Sequence, residues 1–269
     1  MKKSLVAIFL ATVLAVNCFA VNKKIVMDGS TTVLPIAQAA AEVFMDANKD
    51  IEISVRGGGS GVGATSLVEG TCDIANMSRS MKDSEIQKAA GRGVIAKANV
   101  VAMDGIAVIV NPSNTVSALT KKQVKDIYTG KISNWKQIGG QDAKIVVISR
   151  DSASGTYEAF GSLALDAQKV RSDALTMASN QQIAVTVSNT PGAVGYVGLG
   201  FISEKVKALS IDGVIPSKKS VLTKEYVYSR PLFMYTNGSP KGDVKKLIDF
   251  IKSQEGQKLV DEQGFVALK

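Results

Sequence analysis

The chain has 269 residues, of which 45% are hydrophobic and 21% charged, and a formal net charge of +8. That size and apolar content suffice for one or two buried cores and exclude extended disorder. The chain contains no histidine, which excludes His-dependent triads and His-containing metal sites. The basic excess is scattered, in pairs such as Lys121-Lys122 and Lys218-Lys219. No basic and aromatic stripe accompanies it, so it reads as a solvated surface that mildly attracts anions, not as a nucleic-acid interface.

The first twenty residues have the pattern of a secretory signal peptide. Lys2 and Lys3 start it, Leu5 to Val16 form an apolar run, and Asn17-Cys18-Phe19-Ala20 follows. Ordinary cleavage after Ala20 leaves a small residue at −1. The alternative is a lipoprotein signal with Cys18 lipidated, for which Asn17 is atypical. No later segment is long and apolar enough to span a bilayer. With Cys18 removed, Cys72 remains alone, which precludes an internal disulfide. Its apolar surroundings predict a small buried core residue.

Strand and helix signals then alternate. Lys24-Ile25-Val26-Met27 is a predicted strand, and Leu34 to Ala47 a helix with Pro35 suited to its first turn. Ile51 to Val55 and Asp73-Ile74-Ala75 are strands. Gly63 to Glu69 and Ser84 to Ala90 are helices, and Val100 to Asn111 is a long β-rich run closed by Pro112. A second α/β unit follows. Thr120 to Thr129 is a helix capped by Thr120, Lys144 to Ile148 a strand, and Thr156 to Leu165 a helix. Gly192 to Val197 is a strand, and Glu225 to Tyr235 is β-rich and broken by Pro231. Asp243 to Ser253 and Gln254 to Gln263 close the chain as helices. This alternation predicts a parallel, open α/β sheet. No repeat or Gly/Ser linker divides the chain, so two lobes joined by strands near 106–110 and 226–232 fit better than separate domains.

Three segments place hydroxyls beside Gly-rich or helix-opening backbone: Asp28 to Thr32, Gly57 to Gly63, and Arg150 to Thr156. Each follows a predicted strand, where α/β sheets bind ligands. Such junctions offer free N–H groups and the positive end of a helix dipole. Ser and Thr add hydroxyl donors, and Arg150 adds a fork of N–H groups that Asp151 could orient. Together they predict a site for a small tetrahedral oxyanion. Simple capping explains one hydroxyl at Ser30-Thr31-Thr32, not three. Gly58-x4-Gly63-Ala64-Thr65 resembles a Walker A loop, but Ala64 stands where its lysine must be. Gly59-x-Gly61-x-x-Ala64 fits a dinucleotide fingerprint only loosely. No Gly-x-Ser-x-Gly elbow and no carboxylate cluster supports catalysis or metal binding.

These segments, with Asp73 to Arg79 and Tyr128-Thr129-Gly130-Lys131-Ile132-Ser133-Asn134-Trp135, resemble the phosphate-binding proteins of bacterial phosphate ABC transporters. The likeness spans the mature chain in order. It implies a type II periplasmic-binding-protein fold, with two α/β lobes joined by two hinge strands and the ligand in the cleft. Residues 21–107 and 230–269 would form one lobe and 108–229 the other. Ser30, Thr31 and Thr32 match the first phosphate loop, Ser60 the second, and Arg150, Ser154, Gly155 and Thr156 the third. Well-known members carry a carboxylate after the third strand that accepts the proton of hydrogen phosphate. Here Ser78 and Arg79 stand there, and Arg79 is expected to neutralise charge together with Arg150. The resemblance implies an extracytoplasmic, non-enzymatic, monomeric protein that delivers inorganic phosphate to a membrane permease and needs no cofactor. Sulfate or molybdate binding, and an adhesion or sensing role on the same fold, stand as alternatives.

Overall fold

The computed structural model describes residues 23–268. The leader, its cleavage position and Cys18 lie outside these residues. Strand β1 (Lys23–Gly29) leads into helix α1 (Leu34–Ala47), followed by β2 (Ile51–Val55), α2 (Ser60–Glu69), β3 (Ile74–Met77), α3 (Asp83–Gly91) and the long β4 (Ala96–Val110). Next come β5 (Ala118–Leu119), α4 (Lys121–Tyr128), β6 (Val146–Arg150), α5 (Gly155–Ala164), β7 (Leu175–Met177), α6 (Asn180–Ser188) and β8 (Ala193–Gly198). The chain ends with β9 (Lys207–Ala208), β10 (Ser210–Ile211), α7 (Lys218–Leu222), β11 (Ser229–Asn237), α8 (Gly242–Lys252) and α9 (Gln254–Glu262).

The sheet order is β2-β1-β3-β11-β4-β8-β6-β7. β1 pairs in parallel with β2 and β3, while β11 runs antiparallel between β3 and β4. β4 changes neighbour midway. Its residues 96–105 pair with β11, and Ile106 to Val110 pair antiparallel with β8. The strand thereby passes from one lobe to the other, and β11 runs beside it as the second connection. Each lobe has its own core. Ile25, Met27, Phe44, Ile74 and Leu247 belong to the first, and Val108, Tyr128, Trp135, Phe160 and Tyr196 to the second.

The local reasons are readable in the chain. α1 buries Ile36, Ala37, Ala40, Ala41 and Phe44 at helical spacing. Burying a side chain such as Phe44 contributes roughly 1.5–3 kcal/mol. α4 begins as expected, with the Thr120 hydroxyl accepting from the Gln123 amide. Cys72 is buried, and burial pushes its thiol up to about 12. Two expectations need correction. Pro231 does not break its strand. It pairs with Met103 of β4, and β3 joins the other edge of β11 only from Phe233 onward, so no partner waits for its missing N–H. Helix α2 starts at Ser60 rather than Gly63, because Gly59, at φ +100°, makes the turn.

Candidate anion-binding site between the lobes

The hydroxyl-rich segments all lie at carboxyl ends of strands. Ser30 to Thr32 follow β1, Gly57 to Gly59 follow β2, Ser78 and Arg79 follow β3, and Asp151 to Ser154 follow β6. Helices α1, α2 and α5 open directly after three of them, so their free amides and positive ends face the same gap.

The two lobes meet there. The Gly61 amide of α2 donates to the Ala153 carbonyl at 2.9 Å. The Thr32 and Thr156 hydroxyl oxygens stand 2.9 Å apart, one from each lobe. A Cβ on Gly155 would lie 2.2 Å from Ser60 Oγ and 2.7 Å from Ser78 Oγ, so only glycine permits this approach. Ser30, Thr31, Thr32, Ser60, Ser78, Arg150, Ser154 and Thr156 are all buried.

Several hydroxyls also hold the backbone. Ser30 Oγ accepts from the amides of Thr32 and Val33, and Ser154 Oγ caps α5 by accepting from Tyr157. Ser60 Oγ accepts from the Ser78 amide at 3.0 Å and lies 3.3 Å from Ser78 Oγ. As acceptors these oxygens keep their own hydrogens free to donate.

Arg150 is held rigidly. Its Nε donates to the Met177 carbonyl at 3.0 Å and one terminal nitrogen to Ala178 at 2.9 Å. Its other terminal nitrogen, Nη1, is buried without a protein partner. Asp151 does not orient the fork, since its carboxylate accepts instead from the Ala153 amide. The Arg150 amide donates to the Tyr196 hydroxyl, and Tyr196 stacks on Phe160 of α5 with centroids 4.0 Å apart. Burial raises the Tyr196 hydroxyl to about 12, so it stays neutral.

Arg79 is placed differently from the expectation. Its two terminal nitrogens bind both oxygens of Glu85, at 2.7 and 2.8 Å, and its Nε lies 2.8 Å from Glu158. Its guanidinium therefore faces two carboxylates and is not among the groups that meet Thr32.

The sequence reading missed three groups. Arg230 of β11 reaches between the lobes, its Nη2 3.1 Å from Thr156 Oγ1 and 3.4 Å from Thr32 Oγ1. Asp104 of β4, its register partner, receives Nε at 3.0 Å and Nη2 at 2.8 Å. Asn180 opens α6 and donates to Thr31 and Thr32 at 3.1 and 3.0 Å, while accepting from the Gly198 amide. The signal for Asn180 was the cap residue before it, Ser179, whose hydroxyl accepts from Gln182. Nothing local marked Arg230, which lies inside a strand.

Burial pulls the Arg150 guanidinium downward and the nearby Arg230 charge adds to this, while Asp151 opposes it. Burial likewise lowers Arg230 against the attraction of Asp104. A buried Arg150 guanidinium repelled by Arg230 and keeping one nitrogen free would be stabilised by an anion beside it.

Two lobes sharing two crossing strands and meeting over buried donors define the architecture of a two-lobed binding protein. Residues 20–255 match the model of the PBP superfamily domain. The phosphate-binding protein PstS of Bacillus subtilis is 39% identical over 245 residues, covering 89% of this chain and 79% of its own. That of Borreliella burgdorferi is 34% identical over 284 residues, with both chains fully covered. A Clostridium perfringens substrate-binding protein, assigned to a phosphate ABC transporter and solved with phosphate bound, superposes with a TM-score of 0.86 at 35% identity. That match covers 92% of this chain and 100% of that one. A phosphate transport receptor of the ABC type from Vibrio cholerae gives a TM-score of 0.75 at 33% identity, covering 91% and 100%. The chain belongs to the PBP superfamily and, within it, to the family of the phosphate-binding proteins PstS.

Proposed function

We propose that this protein captures inorganic phosphate outside the cytoplasm and delivers it to an ABC transporter permease, acting as a monomer. The observation that carries the reading is the buried Nη1 of Arg150, left without a protein partner at the end of β6, the strand that leads into the opening of α5 at Gly155 and Thr156. Bound phosphate would receive Arg150, the hydroxyls of Ser30, Thr31, Thr32, Ser60, Ser78 and Ser154, and the amides of Gly155 and Thr156. Arg230 and Asn180 hold the threonine hydroxyls in place by donating to them. Closing the lobes excludes water, which strengthens each of these contacts.

A second reading, another tetrahedral oxyanion, has one specific support. The hydroxyl of Ser78 stands against Gly155, in the stretch after β3 where the family resemblance implies a carboxylate. A hydroxyl both donates and accepts, so it does not repel a fully ionised anion as a carboxylate does. Calorimetric titration with phosphate, arsenate, sulfate and molybdate tests both readings. Heat with phosphate and arsenate alone supports the first, and comparable sulfate or molybdate binding supports the second. Absence of binding to all four refutes both.

A further inference from the structure

We propose that Glu158 is a positioning residue for anion capture: with Arg79 and Lys82 it forms a cross-lobe latch that holds the cleft shut over the ligand. The proposal rests on the phosphate-capture reading but concerns groups that do not touch the anion.

Arg79 follows β3 in the first lobe, and Glu158 lies in the first turn of α5 in the second, two residues past Thr156. Arg79 Nε lies 2.8 Å from Glu158 Oε2, and Lys82 Nζ reaches the same oxygen at 3.0 Å. The rest of the Arg79 fork is fixed within its own lobe by Glu85 and by the Ser80 carbonyl at 2.9 Å. Arg79 is thus pre-oriented, and its Nε meets Glu158 across the gap as an ion pair, not through an aligned N–H. The side chains of Arg79 and Glu158 are only 9% and 18% exposed, so salt screens this pair less than a fully solvated one. Two cations face two carboxylates, and the cluster adds no net charge to the cleft. Arg79 therefore contributes little to anion neutralisation, and its role is mechanical.

The position of Glu158 gives the contact its consequence. It is carried on the same turn as Gly155 and Thr156, so drawing Glu158 toward Arg79 seats the opening of α5 against Ser60 and Ser78. The contact exists only when the lobes are together. It therefore stabilises the closed state and slows ligand escape, while leaving the encounter step little changed.

The test is a double-mutant cycle of Glu158→Gln, Arg79→Met and the pair, with phosphate association and release followed by stopped flow at low and high salt. Glu158→Gln is expected to speed release about three- to tenfold with little change in association. Salt is expected to speed release more in the wild type than in Glu158→Gln, and the double variant should fall well short of the product of the two single effects, with the Lys82 contact accounting for what Glu158→Gln adds to Arg79→Met. Unchanged release in Glu158→Gln overturns the latch. Independent, multiplying effects of the two substitutions also overturn it, because they would assign Arg79 directly to the anion. Small-angle scattering of the same proteins without phosphate supplies a ligand-independent reading. A wild type that binds no phosphate removes the capture reading, and the latch is then judged by whether Glu158→Gln has the larger radius of gyration; equal radii overturn it.

Discussion

Arg230 of β11 bridges the lobes: its Nη2 lies 3.1 Å from Thr156 Oγ1 and 3.4 Å from Thr32 Oγ1, while Asp104 beneath it accepts from the same nitrogen at 2.8 Å. The two crossing strands thus do more than connect. They carry a buried ion pair whose cation touches one threonine from each lobe. Asp104 and Arg230 are 0% and 4% exposed, so neither charge has water as an alternative partner. Removing Arg230 alone strands a buried carboxylate. Arg230→Met is expected to cost about 3–5 kcal/mol of unfolding free energy. Urea unfolding checks this, and the double variant Asp104→Asn/Arg230→Met should recover part of the loss. Equal stability of the wild type and Arg230→Met would dismiss the pair as structural cement.

Arg150 differs in kind, because its fork is anchored on two carbonyls and leaves one nitrogen unused. Arg150→Ala is expected to weaken phosphate binding at least about tenfold, or 1.4 kcal/mol. Arg150→Lys should rescue little, since an ammonium cannot hold both carbonyls and the anion in the same geometry. Titration calorimetry reads both variants, and wild-type affinity in Arg150→Ala would take this residue out of the site.

Gly155 separates closure from folding. Alanine there is a good helix former at the start of α5, yet its Cβ would collide with Ser60 Oγ across the cleft at 2.2 Å. Gly155→Ala is expected to lower phosphate affinity by more than about tenfold while the ligand-free melting temperature holds or rises. A variant that closes and binds normally would show that the lobes need not approach this far.

The acid side of the stability profile should report Glu85. Burial pushes its carboxyl up, but hydrogen bonds from Arg79 and the Lys82 amide, with the charges of both residues, outweigh this and hold it below the usual carboxylate range. Its contribution is therefore complete above the unfolded value of about 4.3 and disappears as pH falls through the lower folded value. Chemical unfolding between neutral and strongly acidic pH should show Glu85→Gln less stable than wild type at neutrality, with the gap narrowing on acidification. A constant gap would assign its cost to packing alone.

How much was legible in advance follows from whether the signal is local. Helix α1 was read to its boundaries because its apolar spacing and Pro35 belong to one contiguous stretch. The three hydroxyl-rich turns were legible for the same reason: strand ends, caps and Gly-rich bends are written within a few residues. Pro231 misled because its tolerance depends on which strand lies beside it, which the segment itself does not encode.

The sequence by itself determined the alternation of strands and helices, the donors gathered after β1, β2 and β6, and the absence of histidine chemistry. Tertiary structure alone decided which charges serve them. The sequence reading placed Arg79 in the site and passed over Arg230, but Glu85 and Glu158 draw the first away while Asp104 seats the second beneath Thr32 and Thr156. A guanidinium has no inherent address. Its direction is set by the nearest carboxylates, here up to 126 residues away in sequence, and those distances exist only once both lobes are folded and the two strands cross.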